Sequence, residues 1–71
     1  MKKYLIVIEK AGKNFSAYAP DVPGCIATGK TIPEVKRLFK EALEFHLQGL
    51  AEDGQEAPAP ASKGEYIAVA G

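Results

Sequence analysis

One cysteine, one histidine and no tryptophan stand among the 71 residues. A lone Cys25 forbids an internal disulfide, and with only His46 to add to it there are too few ligands for a structural zinc site, which takes about four. An excess of one charge is missing as well. Nine Lys and Arg balance nine Asp and Glu, for a net charge of zero, so overall charge provides no strong nonspecific hold on a phosphate backbone. Long apolar runs are also absent. The opening Met1-Lys2-Lys3-Tyr4-Leu5-Ile6-Val7-Ile8 is broken by Glu9 and Lys10; it is too short for a signal peptide and falls far below the ~20 residues of a membrane span. A cytoplasmic chain with no membrane partner is expected. The composition that remains, 46% hydrophobic and 25% charged with a mean hydropathy of −0.11, is that of a globular protein rather than a disordered one. The length suits one domain over residues 1–71, and a domain of this size buries only about 60% of its unfolded surface. Without a disulfide or metal staple, self-association becomes the expected stabiliser.

The pattern along the chain predicts a β-β-β-α-β order. Tyr4-Leu5-Ile6-Val7-Ile8, within 3–9, is apolar on both faces and reads as a central strand. Ala11-Gly12-Lys13-Asn14 supplies a turn, and Phe15-Ser16-Ala17-Tyr18-Ala19 the return strand of a hairpin. Two prolines and a glycine make Pro20-Asp21-Val22-Pro23-Gly24 a turn, after which Cys25-Ile26-Ala27-Thr28-Gly29 forms a third short strand. Thr31-Ile32-Pro33-Glu34 carries a cap, a first-turn proline and a Glu spaced for a capping box, so a helix starts here and runs to about Asp53. Its apolar arc, Val35, Leu38, Phe39, Ala42, Leu43, Phe45, Leu47 and Leu50, is wider than one sheet contact needs. Gly54 stops it, 55–64 is a proline-rich connection, and Glu65-Tyr66-Ile67-Ala68-Val69-Ala70 reads as a fourth strand. A right-handed crossover would then give an α+β fold: one four-stranded mixed sheet in order 3-2-1-4 with a single long helix on one face. The helix is longer than the strands, so its end should overhang the sheet. Phe45, His46, Leu47 and Leu50 on that overhang form the expected oligomer interface, for a dimer or a tetramer.

Catalytic constellations fail on residue types. No phosphate-cradling Gly-rich loop, Ser/His/Asp set or metal-spaced cluster is present, so no catalytic residues, metal or cofactor are expected. Cys25 and His46 could make a nucleophile and base only by meeting in space, and a strand Cys more often acts as a small apolar side chain. Charge is distributed unevenly: residues 1–30 carry +3 and the remainder −3. An acidic second half suits a basic partner.

Three segments resemble the HicB-type antitoxin domain: the opening strand to Lys10, then Phe15 through Pro20-Asp21-Val22-Pro23-Gly24-Cys25, then Thr31-Ile32-Pro33-Glu34-Val35 with Glu41 through Gly49-Leu50. The likeness covers about residues 3–60, and the Pro20–Cys25 run with the Gly49-Leu50 helix ending is its specific part. The resemblance implies a β-β-β-α-β domain likened to an RNase H fold without its catalytic acids. It also implies a non-enzymatic protein that oligomerises and blocks a HicA-type toxin, a small ribonuclease that cleaves mRNA. Many such proteins continue into an operator-binding segment; this sequence stops at Gly71, so direct DNA binding is not expected. On this reading the toxin contacts are Asp21, Val22 and Pro23 in the rigid loop and Glu52, Asp53 and Glu56 near the helix end. The rival expectation is a stand-alone oligomeric module that binds RNA or a small ligand through a Lys-rich hairpin with Tyr4, Phe15 and Tyr18.

Overall fold

A computed structural model describes residues 2–71. Three strands, β1 (Val7–Ala11), β2 (Asn14–Ala19) and β3 (Val22–Gly29), are followed by one helix, α1 (Ile32–Glu52). The strands form an antiparallel meander in the order β1-β2-β3. The hairpin register pairs Val7 with Tyr18 and Ala11 with Asn14, and Phe15 pairs with Gly29 across the second ladder.

The four-stranded mixed sheet in order 3-2-1-4 is therefore incorrect: the sheet has three strands and β1 lies at its edge. Residues 65–70 have strand-like composition but form no ladder, and all six are exposed. The apolarity of the opening run has a different cause from two flanking strands. Tyr4, Ile6 and Ile8 pack on the core in strict alternation, whereas Leu5 is approached by the segment after the helix; a Cβ on Gly64 would lie 3.3 Å from a Leu5 methyl carbon. A passing strap covers the side where a neighbouring layer was expected.

The core lies between the sheet and α1 and consists of Ala17, Ala19, Val22, Cys25, Val35 and Phe39. Ala17 and Ala19 are small because they sit beneath the helix, whose Phe39 and Val35 fill the space they leave. On β3 the alternation is broken. Tyr18 pairs with Ile26 but Ala19 pairs with Val22, so three residues bulge from the ladder. Gly24, at φ +87, takes the left-handed conformation that this needs. The bulge lets Val22 and Cys25, three apart, both face inward.

Thr31 caps α1 as its sequence requires, its hydroxyl accepting from the Glu34 amide at 3.2 Å. Glu34 reaches back one residue beyond the cap, where Oε1 accepts from the Lys30 amide at 3.0 Å. At the far end Gly54 donates to Ala51 and Gln55 donates to Leu50 at 2.8 Å, the paired bonds of a Schellman ending, with Gly54 at φ +73.

Residues 55–71 run as an extended strap held at two points. The Tyr4 hydroxyl donates to the Pro58 carbonyl at 2.6 Å. Asp21 accepts from the Ala61 and Ser62 amides at 2.9 and 2.8 Å and from the Ser62 hydroxyl at 2.7 Å. Beyond these anchors Gly64, Glu65 and Tyr66 stand beside Leu5 to Ile8, and Ile67 and Val69 are exposed. The molecule measures 49 × 26 × 19 Å, although a 21-residue helix spans only about 32 Å.

Candidate interaction site

The second half of α1 and the bulged start of β3 diverge and leave an open cleft of about 420 Å³, lined by Gly24, Cys25 and Ile26 from β3 and by Ala42, Phe45, His46, Gly49, Leu50 and Asp53 from the helix side. Gly24 and Gly49 contribute no side chain, and nothing lies within 4 Å of where a Cβ on either would stand. Of the expected oligomer residues, Phe45, His46 and Leu50 share this cleft, and Leu47 lies outside its lining. Phe45 is 79% exposed, while His46, Leu47 and Leu50 are half-buried. A phenyl ring left in water at the mouth of an apolar cleft is the feature that a contact with another chain would remove.

The cleft also joins Cys25, His46 and Asp53, the residue types of a thiol-based nucleophile site. Its electrostatics point the other way. Burial pushes the Cys25 thiol up from its ordinary value, which suppresses the thiolate that nucleophilic attack requires. Among the described residues, no three His, Cys, Asp or Glu gather to hold a metal.

Glu52, Asp53 and Glu56 are all exposed at the C-terminal end of α1, and no basic residue occupies the last turn. The C-terminal end of a helix carries the negative pole of its dipole, so three carboxylates add to the macrodipole instead of offsetting it. The folded chain tolerates this at some cost, and a cationic partner would relieve it.

The three loop residues have separate roles. Val22 is 1% exposed and belongs to the core, while Pro23 stands exposed on the rim of the sheet. Asp21 holds the strap: the amide of Ser62, then its hydroxyl, then the amide of Ala61 keep the Asp21 carboxyl below its ordinary value. This clamp and the Tyr4–Pro58 bond were not legible in the sequence, because partners 40 to 54 residues apart leave no local signature. The aromatics of the Lys-rich hairpin do not form a common platform. Tyr4 is tied to Pro58, Phe15 packs on the core, and Tyr18 is 41% exposed on the helix-free face, in a cross-strand row with Val7 and Ile26.

Among the described residues no helix is long and apolar enough to cross a membrane. Residues 4–70 match the family described as the HicB_like antitoxin of bacterial toxin-antitoxin systems. An uncharacterised 14.9 kDa protein of Haemophilus phage HP1, from the rep-hol intergenic region, is 41% identical over 64 residues, which is 90% of this chain and 48% of that protein. A UPF0150 protein of Helicobacter pylori is 40% identical over 47 residues, 66% of this chain and 65% of its own length. The chain thus spans about half to two thirds of these relatives. Among solved structures, one of a HicA3 and HicB3 toxin-antitoxin complex superposes with a TM-score of 0.71 at 32% identity, covering 84% of this chain and 70% of that one. With nearly its whole length matched, the chain belongs to the HicB-like antitoxin family of bacterial toxin-antitoxin systems.

Proposed function

We propose that this chain binds a HicA-type, mRNA-cleaving toxin and neutralises it by covering its active surface, acting in the cytoplasm by binding and not by catalysis. The observation that carries the reading is the acidic end of α1, where Glu52, Asp53 and Glu56 reinforce the negative end of the helix dipole. A nuclease that grips RNA must present cationic side chains, and these are what such a surface attracts. Family membership and the likeness to a toxin-antitoxin complex support the same reading. Pro23 on the exposed rim would add a rigid apolar contact, with Val22 supporting it from the core and Asp21 fixing the neighbouring strap. Phe45, His46, Leu47 and Leu50 would serve self-association.

Replacing Glu52, Asp53 and Glu56 together by lysine tests the proposal. All three are exposed, so the fold should persist, while affinity for a HicA-type toxin at low salt should fall at least roughly tenfold and the wild-type complex should weaken as salt is raised. Equal affinity for both proteins at low salt would remove the electrostatic part of the mechanism.

A further inference from the structure

The charges of α1 are sorted by flank. At about 100° per residue, Glu34, Glu41 and Glu52 fall on one side of the helix and Lys36 and Lys40 on the other. The cleft fixes which side is which, because Phe45 and Gly49 lie toward the acidic flank and face Cys25 and Ile26 of β3. Lys36, Lys40, Leu43 and Leu47 therefore look the other way, toward β1. Arg37 and Glu44 stand on the crest between the flanks, and Arg37 is held by Glu41 at 3.1 Å. Among the described residues, neither Lys36 nor Lys40 forms an ion pair.

The sheet completes the same flank. The helix rests on β2 and β3, so the inner face of β1 lies beside it and not beneath it. Lys10 pairs with Phe15 and Phe15 with Gly29, which puts all three on the face that meets the helix. Gly29 in turn lies against the Val35 backbone, one residue from Lys36. Two strand spacings, about 10 Å, separate Gly29 from Lys10. Lys13 in the hairpin turn and the positive pole of the α1 dipole belong to the same end of the molecule. The result is a furrow with Lys36 and Lys40 on one bank, Lys10 and Lys13 on the other, and half-buried Ile8, Phe15 and Leu43 as its floor; all four lysines are exposed. The strap is tied at Tyr4, at the other end of the run that carries Lys10. A net charge of zero conceals this arrangement, because Glu52, Asp53 and Glu56 lie at the far end of the helix.

We propose that this furrow binds single-stranded RNA through its phosphates. Four cations around one channel, with no carboxylate on either bank, repel one another in the free chain, and a phosphate backbone relieves that repulsion. The shape selects a single strand. A concave furrow with two lysines on each bank suits one backbone, whereas a duplex is gripped by an element that projects into its groove. Phe15 packs on the core and is not free to stack on a base, so the hold is ionic and tolerant of sequence. The RNA and the acidic helix end occupy opposite ends of the molecule, and the inference stands or falls without the toxin.

Fluorescence anisotropy of the full chain with a labelled, mixed-sequence RNA of about 12 nucleotides provides the test. At a salt slope of about −0.7 per phosphate, four engaged phosphates should cost roughly 50-fold in affinity between about 50 and 200 mM salt. Lys36→Ala/Lys40→Ala alters exposed helix positions where alanine preserves the helix; it should bind more weakly and lose only roughly 7-fold over the same range. Lys63→Ala, which removes a lysine paired with Glu65 outside the furrow, should match the wild type. No binding at low salt would overturn the proposal. A wild-type salt slope in the double variant would place the RNA elsewhere and overturn the furrow. Duplex DNA held as tightly as the single strand would overturn the choice of ligand. So would displacement by polyglutamate as effective as displacement by unlabelled RNA, which would mark an acidic protein as the partner.

Discussion

Gly29 shows how one residue sets the spacing between sheet and helix. It is the last residue of β3, and a Cβ there would stand 2.9 Å from the Val35 amide nitrogen and 3.1 Å from its Cα. Both are backbone atoms at the start of the helix and cannot swing aside. Gly29→Ala should destabilise the chain by about 1–3 kcal/mol, the cost of overpacking a site that cannot yield; an unchanged denaturant midpoint would show that the helix moves freely on the sheet. Asp21 is the corresponding residue for the strap. Its carboxyl is held below the ordinary value of 3.8, so its contribution is present at pH values above that figure and is lost as pH falls through the lowered one. The amide resonances of Ala61 and Ser62 should hold their positions from neutral pH down to below 3.8 and then move. In Asp21→Asn they should sit near the released positions at every pH. Identical amide positions in the two proteins at pH 7 would deny Asp21 the role of clamp.

At the scale of elements, signals contained within a few residues were legible. Thr31 and Pro33 mark the helix start, and the helix ends at Glu52 ahead of Gly54. The hairpin follows from Ala11 to Asn14, and the apolar arc places Phe39 and Val35 against the sheet. The arc is wider than one contact because Phe45, at its margin, has no cover within the chain. What failed was the final element. Tyr66 to Ala70 have every local property of a strand, and Glu65 and Tyr66 stand beside the run that leads into the β1 edge, yet no ladder forms there, and composition carries no information about pairing between distant segments. The same limit hid the β3 bulge: Pro23-Gly24 reads as a simple turn, yet the ladder resumes on both sides of it. The candidate cleft was half visible. Phe45, His46 and Leu50 follow from helical spacing, whereas Gly24 and Ile26 join them only through the fold.

For the whole molecule, the shortage is of buried area. The large fully buried side chains are Phe39, Val22 and Val35, each contributing on the order of 2–3 kcal/mol, in a chain with no disulfide to restrict its unfolded state. A fold so lightly filled leaves Ile26, Phe45, Ile67 and Val69 in water; under the proposed self-association, copies that covered such groups would add to its stability and couple unfolding to dissociation. Coupling of this kind makes the melting temperature depend on protein concentration. For a dimer, tenfold dilution removes about 1.4 kcal/mol per dimer, or about 0.7 kcal/mol per chain. In a domain of this length that lowers the midpoint by roughly 3 to 5 °C. Melting curves over two decades of concentration should therefore separate by about twice that amount. The Phe45→Glu variant, unable to form the contact, should melt lower and at a single temperature throughout. Superimposable wild-type curves would mean that the small core suffices alone and that the exposed apolar groups serve another partner.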